Sequence, residues 1–383
     1  MQSRAACGSL IVLGVLLAAS PASAGEESLA TVQLRGGYDA NPTGLPQGSE
    51  QGSAFITAGT AVAIGRDYAG GKVAFAAEGQ HTEYARDITP ADLAKFALET
   101  EHDLDTGLNL RTSVRTDNVT SYDTRALDVV GNVKLRPSEG VFRPFIAGEL
   151  RYSTLNETNI LYADFLPEPL KFVRGTVIPG FAIVHSDKFE FGVSASVSLT
   201  HYVNDAEPLG FNRDNTRIQP FLFTTFKDGT VDFAASVSRF DGRWSDSHFS
   251  DVQTTLYDVS ISKALGDFKL DLAAKRAVED TTFPYIPVTL TTSGGVGLSY
   301  KLTPQFTLRT SAKTSRTDYS GVALSSKTAM FGVGADYSVN GNWTLGLDAA
   351  YRRGTLIDGE RLTGAVISFS LAKKFDLKSL AQK

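Results

Sequence analysis

The stretch Asn340-Gly-Asn-Trp-Thr-Leu-Gly-Leu-Asp-Ala-Ala-Tyr-Arg352 indicates the fold class. It opens with a tight polar turn, after which apolar and polar residues alternate with the two-residue period of a β-strand. One face carries Trp343, Leu345, Leu347, Ala349 and Tyr351, and the other carries Thr344, Asp348 and Arg352. The stretch therefore predicts a hairpin turn that leads into a long strand with one apolar and one polar face.

The same unit recurs along the chain at nearly constant spacing. The apolar residues that follow successive tight turns are Phe189, Val231, Phe268, Phe306 and Trp343, which are 42, 37, 38 and 37 residues apart. A longer polar loop lies between each pair of tight turns. Each unit is therefore a strand, a long loop, a strand and a short turn, and its repetition over the chain predicts about 18 antiparallel strands.

These strands are long enough to cross a membrane with tilt, and hydrocarbon tolerates a sheet only when it closes on itself. We therefore predict an all-β fold, a transmembrane antiparallel β-barrel with short periplasmic turns and long extracellular loops. A soluble propeller has a similar period, but each blade would need four short strands. Loss of the hairpin around Asp105–Gly107 would reduce the count to 16 strands. The predicted strands span residues 29–39, 54–65, 72–84, 95–105, 108–116, 125–135, 142–155, 172–184, 189–202, 218–226, 231–240, 254–263, 268–278, 288–300, 306–317, 327–339, 343–352 and 361–375.

The first 24 residues have the pattern of a cleaved secretory signal peptide. Arg4 gives a positive start, residues 10–19 form a short apolar core, and Ala22-Ser-Ala24 is a small-x-small cleavage site. We therefore predict a signal peptide at residues 1–24 and a single outer-membrane β-barrel domain at residues 25–383. The predicted location is the outer membrane of a Gram-negative bacterium.

The chain of 383 residues has a formal net charge of −5 and one cysteine, Cys7. The mild acidity argues against a nucleic-acid partner, and a lone cysteine excludes a disulfide framework or a cysteine-based zinc site. The nine predicted long loops hold 19 acidic and 6 basic residues, so the predicted outer rim is acidic.

Aromatic residues cluster near the predicted strand ends, where rings with one wet edge favour the membrane interface. We therefore predict two aromatic girdles formed by Tyr38, Tyr84, Tyr152, Phe189, Tyr202, Phe240, Phe268, Tyr300, Phe306, Tyr319, Trp343 and Tyr351.

Leu34-Arg-Gly-Gly-Tyr-Asp-Ala-Asn-Pro42 opens the first predicted strand and loop. This stretch resembles the start of the putative β-barrel porin 2 family of bacterial outer-membrane proteins. The resemblance implies an outer-membrane barrel with a transport or envelope function and carries over no catalytic residues. Barrels of this kind commonly end on an aromatic residue; Phe375 fits that position, although eight residues follow it.

No residue pattern in the sequence indicates an enzyme. It has no His-Glu-x-x-His zinc pair and no Gly-x-Ser-x-Gly nucleophile turn. We interpret His185-Ser186 as an exposed turn, and the loop carboxylates Asp241, Asp246 and Asp251 lack the spacing of a calcium loop. We expect no catalytic site, no cofactor and no metal site.

The polar faces of the predicted strands would point into the barrel and line its pore. With a turn centred on Thr106, Glu101 and Arg111 lie directly opposite each other and form a predicted cross-strand ion pair. The predicted pore-lining residues are Arg35, Lys72, Glu78, Glu99, Glu101, Arg111, Arg115, Asp128, Lys134, Arg151, Arg309, Lys313, Asp348 and Arg352.

The leading functional hypothesis is a porin-like channel for passive diffusion of small polar solutes, since a barrel of this size leaves an aqueous lumen unless it is plugged. The alternative is a structural or envelope-polysaccharide-associated barrel with an occluded lumen. Expected partners are outer-membrane lipid and lipopolysaccharide, the outer-membrane assembly machinery and small polar solutes; the sequence leaves an oligomer open.

The long apolar loop at residues 156–171 is the predicted constriction. It contains Tyr162, Asp164, Phe165 and Glu168, and its apolar side chains gain from packing against the barrel wall. Packing over neighbouring loops as a lid, or against another protomer, is the alternative.

Overall fold

The computed structural model describes residues 28–121, 124–157, 170–203, 210–283 and 286–377. These residues form one closed antiparallel sheet, in which each strand pairs with the next and the last pairs with the first. The predicted barrel is confirmed with 18 strands, because β4 and β5 pair across residues 104–107, with Asp103 opposite Asn109. The strands are β1 (Ser28–Asp39), β2 (Ser53–Tyr68), β3 (Gly71–Tyr84), β4 (Ala91–Asp103), β5 (Leu108–Thr120), β6 (Thr124–Pro137), β7 (Phe142–Glu157), β8 (Leu170–Ser186), β9 (Phe189–Tyr202), β10 (Asn215–Lys227), β11 (Val231–Trp244), β12 (Val252–Leu265), β13 (Phe268–Asp280), β14 (Val288–Lys301), β15 (Phe306–Tyr319), β16 (Ser325–Val339), β17 (Trp343–Thr355) and β18 (Arg361–Asp376).

Several strands continue beyond their predicted ends on the side of the long loops. β4 begins at Ala91 instead of residue 95, and β5 ends at Thr120 instead of residue 116. Backbone groups remain paired there although the apolar alternation has stopped, because hydrogen bonding between strands does not depend on an apolar face. We call the two rims of the barrel the long-loop end and the short-turn end.

The two faces of the sheet differ in chemistry as the alternation predicts. Large apolar side chains such as Leu34, Leu222, Leu347 and Phe369 are between 50% and 55% exposed on the outer face. This outer surface suits contact with hydrocarbon, whereas polar residues such as Arg35 and Asp348 face the interior.

The turn quoted at the start of the sequence analysis forms as predicted. Asn340 and Gly341 have φ angles of 54° and 72°, and the flanking Val339 and Trp343 are direct partners. Positive φ at two consecutive turn residues matches the twist of the flanking strands, and asparagine followed by glycine adopts it at little steric cost.

The aromatic girdle prediction is wrong for part of its residues. Tyr38 and Tyr351, each 49% exposed, lie on the outer face, but Tyr202 and Phe240 are buried inside the barrel at 9% and 3% exposed. Tyr84 also faces inward, since it is the partner of inward-facing Phe55. Tyr319 faces inward as well, and its ring contacts that of Phe283 with centroids 5.2 Å apart. These four rings pack against interior side chains instead of the membrane interface.

Two predicted segments lie outside the described residues. These are the signal peptide at residues 1–24 and the predicted constriction residues Tyr162, Asp164, Phe165 and Glu168. Within the part of the chain that the structure describes, no helix is long and apolar enough to span a membrane.

Candidate functional site

The charged residues that the sequence assigns to the pore lie on the face opposite the exposed apolar side chains. Arg35 neighbours outward-facing Leu34, and Asp348 neighbours outward-facing Leu347, so each points to the interior. The other twelve predicted pore-lining residues lie on the same face, and the cross-strand registers keep this face continuous around the sheet. The inner wall therefore carries charges of both signs.

A three-residue ion cluster lies on the inner wall near the short-turn end. Glu101 accepts one hydrogen bond from Arg111 at 2.6 Å and forms a salt bridge with Lys72 at 2.9 Å. Glu101 and Arg111 are direct cross-strand partners, so the ion pair predicted from the turn geometry is confirmed.

Other inner-wall charges also form local pairs. Arg151 donates two hydrogen bonds, each 2.9 Å long, to the carboxylate of Asp128. Arg309 bridges Asp336 at 2.6 Å and Asp348 at 3.0 Å. These pairs fix long side chains against the wall, which keeps them from spanning the lumen.

One pair of neighbouring strands separates at the long-loop end. The register of β12 with β13 stops at Tyr257 and Arg276, leaving Val252–Leu256 without partners on β13. In contrast, β13 and β14 stay paired up to Asp280 and Val288. The end of the β13–β14 hairpin is thus free to leave the cylinder of the barrel.

Asp280 shows where this hairpin goes. It lies on the same face of β13 as outward-facing Leu272, yet its carboxylate accepts hydrogen bonds from Arg174 of β8 at 2.8 and 3.0 Å. Arg217 of β10 donates to it as well, and so does the Tyr202 hydroxyl at 3.3 Å. All three donors belong to the inner wall, so the outer face of the hairpin end packs against the inside of the barrel.

The tip of the hairpin reaches farther across the interior. The guanidinium of Arg213 donates to the carbonyl oxygens of Thr281 and Phe283 at 2.6 and 2.8 Å. Phe283 packs against a buried cluster of Leu170, Phe172 and Tyr202 on β8 and β9. We call residues 276–283 and 286–290 the inserted hairpin.

Apolar contacts line the rest of the interface of the inserted hairpin. Its Val288 is fully buried, with Val278 and Leu290 packed around the same cluster, whose wall residues include Phe240 and Leu256. Arg276 crosses the gap between the separated strands and donates to Thr254 at 3.3 Å. Burying this apolar area favours the inserted position at ~25 cal/mol per Å² removed from water.

The first long loop also folds inward, and Asn41 of the Leu34–Pro42 motif explains why. Asn41 is fully buried; its side-chain amide donates to the carbonyl oxygens of Leu45 and Thr363, both at 2.8 Å. Arg352 of the inner wall donates to the Asn41 carbonyl at 2.8 Å. A Cβ on Gly364 would come within 3.2 Å of the Asn41 Cβ, so glycine at 364 allows this close approach.

Sequence reasoning missed Arg174 and counted Arg217 and Asp280 only among the charges of the predicted long loops. A signal was nevertheless present, because Phe172, Phe240 and Leu256 occupy alternating strand positions whose side chains face the interior of the barrel. Large apolar side chains on the polar face of a porin-like strand indicate that something packs inside the barrel at that height.

The candidate loop carboxylates serve local structure. Asp246 accepts backbone hydrogen bonds from His248 and Asn212, which lowers its pKa below the usual value. Asp241 pairs with Arg243 at 3.2 Å. In the described ranges of the chain, no group of three or more His, Cys, Asp or Glu side chains could hold a metal ion.

Solved structures with a similar fold are outer-membrane barrels. OccK2 (OpdF) from Pseudomonas aeruginosa matches with a TM-score of 0.51 at 8% identity, covering 92% of this chain and 98% of that one. OpdO from the same species has a TM-score of 0.46 at 13% identity, with coverages of 91% and 97%. The FrpB iron transporter from Neisseria meningitidis has a TM-score of 0.45 at 9% identity; it covers 87% of this chain, which spans only 62% of FrpB.

At these identities the similarity shows the fold alone. No curated protein matches the chain. Over residues 240–371, from within β11 to within β18, the sequence matches the family described as putative beta-barrel porin 2, which confirms the resemblance that the Leu34–Pro42 motif predicted.

Proposed function

We propose that this protein is a channel for passive diffusion of small polar solutes across the outer membrane of a Gram-negative bacterium, and not an enzyme. In this orientation the long loops are extracellular and the short turns periplasmic. The predicted pore-lining residues, from Arg35 to Arg352, would then line the solute path.

The observation that carries this proposal is the exposed, charged inner wall. Lys275 and Asp258 form an inner-face ion pair in which each side chain is 57% exposed, and Arg111 and Lys72 are 47% and 44% exposed. Side chains packed in an occluded core would be buried and apolar, whereas half-exposed charges suit a lumen filled with water.

The inserted hairpin supports a channel of restricted width. It occupies the lumen beside β8–β12, and its Phe283 also contacts Tyr319 of β15, with ring centroids 5.2 Å apart. In this proposal the hairpin narrows the path, and the mixed signs of the remaining wall charges allow neutral polar solutes and ions of both signs.

The experiment is reconstitution into planar bilayers and into liposomes loaded with sugars of graded size. We expect ohmic conductance that rises with salt concentration and uptake that falls off with sugar size. If protein shown to be folded gave no conductance above empty bilayers, the diffusion channel would be excluded and the occluded barrel, structural or associated with envelope polysaccharide, would be favoured.

A further inference from the structure

A cluster of basic side chains lies on the outer face of the barrel near the long-loop end. Arg316, Lys327, Arg353 and Arg361 stand on the four consecutive strands β15–β18 and are all exposed. Each lies within three residues of the long-loop end of its strand. We call these four residues the basic patch.

Cross-strand register brings the basic patch into one compact surface. Arg316 is the direct partner of Lys327, Lys327 of Thr355, and Thr355 of Arg361. This lateral row crosses three strand spacings, a width of ~14 Å. Arg353 is the next outward residue below Thr355 on β17, so it lies between the row and the apolar band.

The charges of the patch are only partly compensated by nearby acids. Arg316 pairs with Asp318 at 2.7 Å, and the loop that connects β17 to β18 contributes Asp358 and Glu360 to the rim. Among the described residues, no carboxylate lies within 4.0 Å of the charged groups of Lys327, Arg353 or Arg361. Arg243, an outward basic residue at the same rim, is by contrast paired with Asp241.

An apolar groove of about 560 Å³ adjoins the patch on its membrane side. Small residues form its floor, because Gly294, Thr314 and Ala329 share a lateral row that ends at Arg353. The next row toward the membrane interior places Phe331 beside Tyr351, which forms an aromatic wall. We call this depression the outer groove.

We propose that the basic patch and the outer groove together bind one phosphorylated glycolipid of the outer leaflet, of the lipid A type. Arginine and lysine form charge-assisted hydrogen bonds with phosphate oxygens, and basic clusters beside membrane-facing surfaces select anionic headgroups. The groove below takes an acyl chain, because a depression floored by small residues lets a chain lie closer to the wall than the surrounding surface does. The patch alone would accept any phosphate, but the adjoining groove commits the site to a lipid.

The test measures binding of defined lipids to the purified, folded barrel in detergent. The probes are bisphosphorylated lipid A, its dephosphorylated form, phosphatidylethanolamine and inorganic phosphate. We expect saturable binding of bisphosphorylated lipid A, with much weaker binding of the other three. The double variant Lys327→Gln, Arg353→Gln should bind lipid A at least about tenfold more weakly, since each charged hydrogen bond contributes measurably.

Two further variants distinguish lipid binding at this site from non-specific association of lipid with the barrel surface. Arg239→Gln removes an exposed outward arginine on β11, away from the patch, and should leave binding unchanged. Ala329→Phe fills the outer groove and should weaken lipid A binding while the basic patch stays intact. Heat-modifiable migration on gels verifies that each variant is folded.

Equal lipid A binding by the double variant and by Arg239→Gln would overturn the proposal. So would equal binding of the dephosphorylated lipid, or inorganic phosphate binding as tightly as the lipid. Channel conductance is not part of the readout, so this inference and the proposed diffusion function fail independently.

Discussion

At the scale of single residues, Asp280 has the largest consequence. Its carboxylate lies between the buried guanidinium groups of Arg174 and Arg217, on a strand end that has left the barrel wall. Removing one partner of such a buried pair typically costs about 3–5 kcal/mol, because the opposite charges remain desolvated and unpaired. Asp280 therefore makes the strongest polar contribution to the inserted position, beside the apolar contacts of the hairpin.

We expect Asp280→Asn to release the inserted hairpin and to raise single-channel conductance clearly, while the barrel still assembles. The matched control is Asp258→Asn, which removes an inner-wall carboxylate whose exposed pair with Lys275 contributes about 0–1 kcal/mol. Single-channel recording of both variants checks this. An Asp280→Asn channel with wild-type conductance would show that the hairpin stays in place without its ion pair.

At the scale of elements, the inserted hairpin and the loop at residues 156–171 are two candidates for the constriction. Val278 and Leu290 are direct cross-strand partners, so a two-residue Asn-Gly turn can connect them in place of residues 279–289. We expect this shortened variant to show higher conductance and to admit larger sugars than the wild-type protein. The comparison variant deletes residues 158–168, the sequence-based candidate. If only that deletion raised conductance, the constriction would be the loop and not the hairpin.

Sequence periodicity predicted strand positions well because alternation and turn residues are local properties. Glu101 and Arg111 could be paired from the sequence, since a short turn fixes their register. The inserted hairpin could not be found in this way, because Val278 continues the apolar outward face of β13 and Asp280 falls in a predicted polar loop. Their outer face contacts protein only because β12 and β13 separate, and that separation depends on partners as distant in sequence as Arg174.

At the scale of the whole molecule, closure of the sheet determines how the protein should behave in detergent. With β18 paired to β1, every described strand has a paired neighbour on both sides, so two ladders of hydrogen bonds must break before any strand can leave the sheet. We expect the unheated protein to migrate differently from the boiled protein on a denaturing gel. Identical migration, or recovery of the mature chain as a soluble periplasmic species, would contradict the membrane barrel.

The pairing of β1 with β18 also sets the order of events during biogenesis. Leu29 at the start of the first strand finds its partner, Asp376, only after the last strand has been synthesised and exported. Until then the nascent sheet has two edge strands with unpaired backbone groups, which promote aggregation and proteolysis. Pairing the two ends of so long a chain is also slow. A chain terminated before Arg361 would keep both edge strands permanently. We therefore expect such a truncation to be cleared within the cell envelope although seventeen of its strands are intact, and pulse-chase labelling would measure its shortened half-life against that of the full chain.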